Sequence, residues 1–156
     1  MNEQSAAYDT IVVGGGPSGA TAANDLARSG HKVLLLERGF RIKPCGGAIP
    51  PCLMAEFDIP EHLLVARIRS ARMVSPRGEA VDMPIDGTYV GMVDRDEFDP
   101  WLRERARTSG ADVVAGVFKS LRYVDDLVEL TYQTKDDNPR VITVTARSVI
   151  GSDGAR

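Results

Sequence analysis

Three glycines and one acid are the residues of this sequence whose types and spacing could do chemistry. The glycines follow the pattern Gly14-x-Gly16-x-x-Gly19 directly after an apolar run, and Glu37 closes the next apolar run. In this pattern the first glycine permits a tight turn, the second lets a pyrophosphate approach the backbone, and the third allows close packing of helix on strand. The spacing therefore predicts a dinucleotide site in which Glu37 accepts hydrogen bonds from ribose hydroxyls.

A strand, a helix and a second strand are needed to position these residues. The sequence predicts strands over residues 10–13 and 32–36 and a helix over 17–29, with Pro17 and Ser18 in its first turn. The unpaired N–H groups and the positive dipole end at such a helix start attract phosphates. A lone glycine triplet would be weak support. The complete unit with its terminal acid favours a nucleotide site over an incidental turn.

The remaining chain mixes helices with strands of period two. The second clear helix is expected over 94–109, where Phe98, Leu102 and Ala106 form its buried stripe and Arg103, Arg105 and Arg107 a solvated face. Short helices are predicted at 52–57 and 61–65. Strands are predicted at 68–75, 80–83, 89–93, 113–114, 117–124, 127–134, 141–146 and 148–151. This order indicates an α/β fold interrupted by an antiparallel excursion of three strands.

Composition excludes several other classes of protein. The chain has 156 residues, 43% of them hydrophobic, and a net charge of -3, which are ordinary values for a soluble domain. Without a basic run, nucleic acid is not an expected partner, and no apolar stretch reaches the length of a membrane span. Cys45 and Cys52 form neither a metal pattern nor a disulfide framework, and the polar N-terminus lacks a signal region. We therefore expect a reducing, cytoplasmic location.

The order of these features resembles the FAD-dependent oxidoreductases of the para-hydroxybenzoate hydroxylase type. Within that group, three segments look like the geranylgeranyl reductases of chlorophyll and bacteriochlorophyll synthesis. They are Lys-Pro-Cys-Gly-Gly-Ala-Ile-Pro at 43–50, Gly-Met-Val-Asp-Arg at 91–95 and Leu-Arg-Glu-Arg-Ala at 102–106. The resemblance implies a Rossmann-like FAD-binding domain with a parallel sheet, a three-stranded antiparallel crossover meander and part of a substrate-domain sheet, with the C-terminal portion missing.

The resemblance also implies an activity in pigment synthesis for photosynthesis. A reductase of this family uses FAD, with NADPH as the hydride source, to saturate C=C bonds of a geranylgeranyl chain and give a phytyl chain. The substrate is a prenylated tetrapyrrole or geranylgeranyl diphosphate. Peripheral contact with the photosynthetic membrane is a hypothesis that rests on this lipid-soluble substrate, because the sequence shows no amphipathic anchor.

The resemblance also divides the chain. Residues 1–7 are expected to be a flexible N-terminus, 8–66 the FAD-binding βαβ unit with a flavin loop, 67–93 the start of the substrate-domain sheet, and 94–156 the remainder of the FAD-binding domain. The last strand ends in a loop that should open another helix, so we expect the chain to be the front part of a larger protein, inactive by itself.

Three candidate residues lie in the predicted flavin loop. Cys45 is the candidate catalytic residue, since a mostly protonated thiol could supply a proton to the alkene. Packing beside a glycine pair is the alternative role for Cys45. Gly46 and Gly47 would let a flat isoalloxazine ring lie against the backbone, or they simply form a turn.

Four further residues are cofactor candidates, each with a structural alternative. Arg95, at the predicted helix start, would pair with the pyrophosphate or be a solvated arginine. Arg38 would lie over the adenine or form a surface ion pair. Asp153 would orient the loop near the pyrophosphate or cap a helix. Phe118 would cover the adenine or pack in the core.

Two other functions remain open at the level of sequence. One is a related FAD-dependent aromatic monooxygenase, which keeps the fold and changes the chemistry, although the segment at 43–50 argues against it. The other is a non-catalytic, truncated nucleotide-binding module.

Overall fold

The computed structural model describes residues 7–39, 45 and 47–154. The chain divides into two compact units, one formed by Met1–Arg41 with Asp99–Arg156 and the other by Ile42–Phe98. Apolar runs of period two give strands and the two runs of helical period give the long helices, as expected from the pattern. The described residues form ten strands: β1 (Tyr8–Val13), β2 (Val33–Glu37), β3 (Ala48–Ile49), β4 (Leu64–Ile68), β5 (Ser70–Val74), β6 (Ala80–Pro84), β7 (Val90–Val93), β8 (Asp112–Val124), β9 (Leu127–Thr134) and β10 (Val141–Gly151). The α-helices are α1 (Pro17–Arg28), α2 (Pro51–Glu56) and α3 (Arg95–Thr108), of which α3 enters the first unit at Asp99.

The first unit is built on one sheet with the pairing order β1-β10-β9-β8-β2, closed by β1 against β2. Strands β10, β1, β2 and the start of β8 run parallel, whereas β8, β9 and β10 pair antiparallel as a meander. Its core contains Ile11, Leu34, Leu36, Leu130 and Tyr132. Because the parallel strands end at the same edge, the segments that follow β1, β2 and β10 come together there. This arrangement confirms the α/β fold with a parallel sheet and a three-stranded antiparallel excursion.

Two strands are longer than the sequence indicates. The predicted strands at 113–114 and 117–124 form the single strand β8, and those at 141–146 and 148–151 form β10. Gly116 does not break β8. A Cβ at this position would lie 2.8 Å from the Tyr132 ring and 2.9 Å from Leu36, so the glycine permits close packing within the strand.

The second unit contains the sheet β3-β7-β4 and the hairpin β5-β6. The predicted helix at 61–65 is wrong beyond Leu63: a 3-10 turn covers Glu61–Leu63, and the chain then pairs with β7 as β4. The predicted strand at 68–75 is likewise divided, since residue 68 ends β4 and Ser70 begins β5. Strand pairing over these short segments overrides the local helical pattern.

Candidate functional site

The glycine-rich turn joins β1 to α1 at the carboxyl edge of the parallel sheet. Gly14 has φ +106°, and a Cβ there would lie 2.5 Å from the carbonyl carbon and oxygen of Ser152, which follows β10. The Gly14 N–H donates to the Leu36 carbonyl at 2.8 Å, and the Ser152 N–H donates to the Val13 carbonyl at 2.7 Å. Neighbouring backbone on both sides therefore confines the turn, and only glycine fits at its first position.

Gly19 and Gly16 have opposite surroundings. A Cβ on Gly19 would overlap the Gly14 carbonyl oxygen, whereas a Cβ on Gly16 would have no atom within 4 Å. Gly16 is the N-cap of α1, it receives no side-chain capping hydrogen bond, and the first helical turn carries no acid. Pro17 fills the first helical position, and Ser18 is exposed beside it. The helix N-terminus thus presents N–H groups and its positive dipole end to open space, as an anion site requires.

Glu37 lies at the end of β2, directly beside this turn. Its Oε2 accepts a hydrogen bond from the Gly15 N–H at 2.6 Å, and its Oε1 accepts one from the Gly39 N–H at 3.0 Å. A carboxylate has about four lone-pair positions, so each oxygen keeps capacity for a further donor. Fixed in this way and half-buried, Glu37 is suited to receive the hydroxyls of a ribose.

Arg103 completes this cluster from α3, and sequence reasoning missed it. The predicted solvated face is wrong for this arginine: its side chain is buried at 8% exposure, and its Nη1 donates to the Gly15 carbonyl at 3.0 Å. The detectable signal was its position three residues before buried Ala106, at the edge of the apolar stripe of the helix. The prediction holds better for exposed Arg107, which pairs with Glu104.

Phe118 and Asp153 both line a cleft of the first unit. A cleft of about 530 Å³ lies between the meander and the ends of β1 and β10, and Val13, Gly151, Phe118 and Asp153 all line it. Phe118 is 41% exposed among the described residues. Arg38 is exposed after β2.

The other candidates belong to the second unit. Gly47 is buried with φ +67°, its carbonyl accepts from the Val93 N–H at 2.9 Å, and a Cβ would overlap the Val93 carbonyl oxygen. This glycine is therefore required by close approach to β7. Cys45 is exposed, and Arg95 is the first residue of α3 and half-buried. Gly46 lies outside the described residues.

Metal-binding clusters and membrane-spanning helices are both absent from the described residues. No cluster of three or more His, Cys, Asp or Glu side chains there is placed to bind a metal ion. In the same part of the chain, none of the helices combines the length and apolar character of a membrane span.

Known proteins resemble the chain in both sequence and fold. A family model described as FAD dependent oxidoreductase matches residues 9–48, which contain the glycine turn and Glu37. A geranylgeranyl diphosphate reductase of Rhodobacter capsulatus is 53% identical over 148 residues, which make up 95% of this chain and 38% of that protein. Over this range the chain is similar to the geranylgeranyl reductases. A chloroplastic geranylgeranyl diphosphate reductase of Arabidopsis thaliana is 39% identical over 155 residues, covering 92% of this chain and 33% of its own length.

The solved structures agree with this relationship. A geranylgeranyl bacteriochlorophyll reductase-like protein from Thermoplasma acidophilum superposes with a TM-score of 0.83 at 28% identity, over 94% of this chain and 39% of that one. The resemblance predicted from the sequence is therefore confirmed, and the expectation of FAD is supported by the family match. The chain spans about two fifths of the length of this structure and of the Rhodobacter capsulatus relative.

Proposed function

We propose that this chain carries the site for the adenosine diphosphate half of FAD in a geranylgeranyl reductase. The observation that carries the proposal is the glycine turn itself. Backbone closes in on Gly14 and Gly19, while the space at Gly16 is open at the N-terminus of a helix without acid or side-chain cap. A diphosphate fits the charge and the shape of that opening.

The residues around the turn divide the binding task. The N–H groups at the start of α1 would hold the phosphates, and Glu37, already fixed by Gly15 and Gly39, would accept the ribose hydroxyls. Asp153 and Phe118, which share one cleft beside the turn, are the candidates for orienting and covering the cofactor. Arg38, Arg95, Gly46 and Gly47 remain cofactor candidates, and Cys45 remains the candidate proton donor.

We propose that the whole protein saturates C=C bonds of a geranylgeranyl chain on a prenylated tetrapyrrole or on the diphosphate, with NADPH as the hydride source. Bound reduced FAD would supply the hydride to the alkene. Identity of 53% with a protein named geranylgeranyl diphosphate reductase supports this activity over that of an aromatic monooxygenase. The division of the chain at 8–66, 67–93 and 94–156 and the peripheral membrane contact belong to the same proposal.

Purified complete protein tests both levels of the proposal. FAD titration should quench flavin fluorescence and give a flavin absorption spectrum, and anaerobic NADPH should bleach that spectrum. Incubation with geranylgeranyl diphosphate or with a geranylgeranylated pigment should then add hydrogen to the prenyl chain, detected by mass spectrometry. Protein that takes up no FAD contradicts the cofactor site. Oxygen uptake without prenyl reduction would instead indicate the monooxygenase.

A further inference from the structure

We propose that Arg103 is a positioning residue of the nucleotide site, which sets the orientation of the Gly15–Gly16 peptide so that the Gly16 N–H faces the phosphate. This inference rests on the proposed function, since it requires a diphosphate at the turn. It assigns a role to a residue that lies in a different element from the glycine motif and 88 positions from Gly15.

The glycine turn is held from two sides by side chains of opposite charge. Arg103 Nη1 donates to the Gly15 carbonyl at 3.0 Å, and the Gly15 N–H donates to Glu37 Oε2 at 2.6 Å. The stem of Arg103 and the side chain of Glu37 both lie within 3.2 Å of the place that a Gly15 Cβ would occupy. Gly15 is thus enclosed between them, which explains why a glycine stands at this nominally variable position of the motif.

Peptide planarity carries the effect from Arg103 to the phosphate position. The Gly15–Gly16 bond is trans, so the Gly15 carbonyl and the Gly16 N–H point in opposite directions. With the carbonyl directed to buried Arg103, the N–H is directed away from α3. Glycine has the widest choice of backbone conformation, so without such a hold the peptide could rotate. A peptide group that is already fixed before the ligand binds need not be ordered during binding, so the affinity is higher.

The positive charge of Arg103 also favours the binding of a phosphate at the turn. A guanidinium stays protonated in proteins, and at 8% exposure its field is screened less than that of a surface group. Neighbouring arginines of α3 are engaged elsewhere: the Arg105 guanidinium lies 4.9 Å from the centre of the Trp101 ring, and Arg107 pairs with Glu104 in solvent.

The test measures dissociation constants of FAD and of ADP for variants of the complete protein. Arg103→Met keeps the length of the stem and removes donor and charge, so both ligands should bind about 10- to 100-fold more weakly, the usual worth of a charge-assisted hydrogen bond. Arg103→Lys keeps the charge and a donor and should recover most of the loss. Arg107→Met, one turn further on the same helix and exposed, should stay within about twofold of wild type.

The outcomes separate this inference from the proposed function. Wild-type protein that binds neither FAD nor ADP contradicts both. Wild-type binding with unchanged FAD and ADP affinity in folded Arg103→Met overturns the inference alone, even if the melting temperature falls, because a purely structural role predicts that result. Loss for FAD without loss for ADP also overturns it, as does Arg103→Lys that binds no better than Arg103→Met. Should Arg103→Met fail to fold, Arg103→Gln replaces it under the same criteria.

Discussion

Substituting alanine at Gly14 and at Gly16 separates the two requirements that the turn places on its glycines. At Gly14 the residue has φ +106°, and a new Cβ would lie 2.5 Å from the Ser152 carbonyl and 2.6 Å from the Asp153 nitrogen. All three neighbours are backbone atoms, and ordinary van der Waals contact begins at 3.4 Å, so they must move by roughly 0.8–0.9 Å. At Gly16 the new Cβ would meet no atom within 4 Å.

These surroundings give different costs for the free energy of unfolding. Backbone strain at a positive φ costs about 1–3 kcal/mol and overpacking about 1–3 kcal/mol, so Gly14→Ala should lose about 2–6 kcal/mol. That is a large fraction of the 5–15 kcal/mol typical of a folded protein. For Gly16→Ala the poorer N-cap and the reduced freedom of the unfolded chain oppose each other. Its stability should change by less than about 1 kcal/mol.

For FAD affinity, the informative variant is Gly16→Ala, whose stability should change little. Gly16→Ala places a methyl group in the space assigned to the diphosphate, and overpacking of about 1–3 kcal/mol corresponds to about 5- to 150-fold weaker binding. Urea unfolding followed by circular dichroism gives the stability, and quenching of flavin fluorescence gives the dissociation constant. A Gly16→Ala protein that binds FAD like wild type would refute the placement of the phosphates. A Gly14→Ala protein of wild-type stability would refute the close approach of Ser152.

Three more substitutions test separate parts of the site and fold. Glu37→Gln removes one of the two carboxylate oxygens that accept from the Gly15 and Gly39 N–H groups. It should weaken FAD binding about tenfold while the circular dichroism spectrum stays unchanged. A variant with wild-type FAD affinity would exclude Glu37 from ribose binding. Tyr8→Phe tests how stability depends on pH. Burial and the hydrogen bond to Asp112 raise the pKa of Tyr8 from about 10 to about 12. The stability gained from this tyrosine is therefore complete below pH 10 and is lost as the pH rises to 12. The difference in urea midpoint between wild type and Tyr8→Phe should therefore shrink over that range, and a constant difference would contradict the assignment. Cys45→Ala should retain bound flavin and slow alkene reduction in single-turnover experiments, whereas an unchanged rate would remove Cys45 from the mechanism.

The elements around the site were predictable because their signals are local. Glycine and proline mark both ends of α1, which the sequence places at 17–29 and the structure at Pro17–Arg28. The strand of the meander predicted at 127–134 agrees with β9, whose alternate residues are buried. Period-two burial along a strand is visible in the order of residue types, so no knowledge of the partner strands was needed.

The continuity of β8 was not predictable, because its cause lies in another strand. Gly116 looks like a break in the sequence, yet the Tyr132 ring of β9 and Leu36 of β2 occupy the space where its side chain would be. Similarly, residues 61–65 fit a short helix by themselves, and pairing with β7 decides otherwise after Leu63. Information of this kind exists only once the strands are assembled.

The residues of the candidate site also differ in whether a local signal identifies them. Spacing within one βαβ unit is sufficient to identify Gly14, Gly16, Gly19 and Glu37. The family model that matches residues 9–48 covers the same segment. Arg103 lies outside that unit, and its position at the edge of the apolar stripe of α3 is a weaker signal, since an arginine on a helix rich in charge is usually solvated. Its burial depends on the position of the glycine turn.

The motif alone is therefore an incomplete description of the proposed nucleotide site. Within residues 9–48 the turn has its glycines and Glu37, but the backbone that confines Gly14 comes from Ser152 and the donor to the Gly15 carbonyl comes from Arg103. Both partners lie far outside that segment, and both act on peptide groups that glycine leaves unrestrained. Because the orientation of those peptide groups decides whether N–H groups face a phosphate, we expect nucleotide affinity to depend on the assembled first unit, and not only on the short sequence by which such sites are recognised.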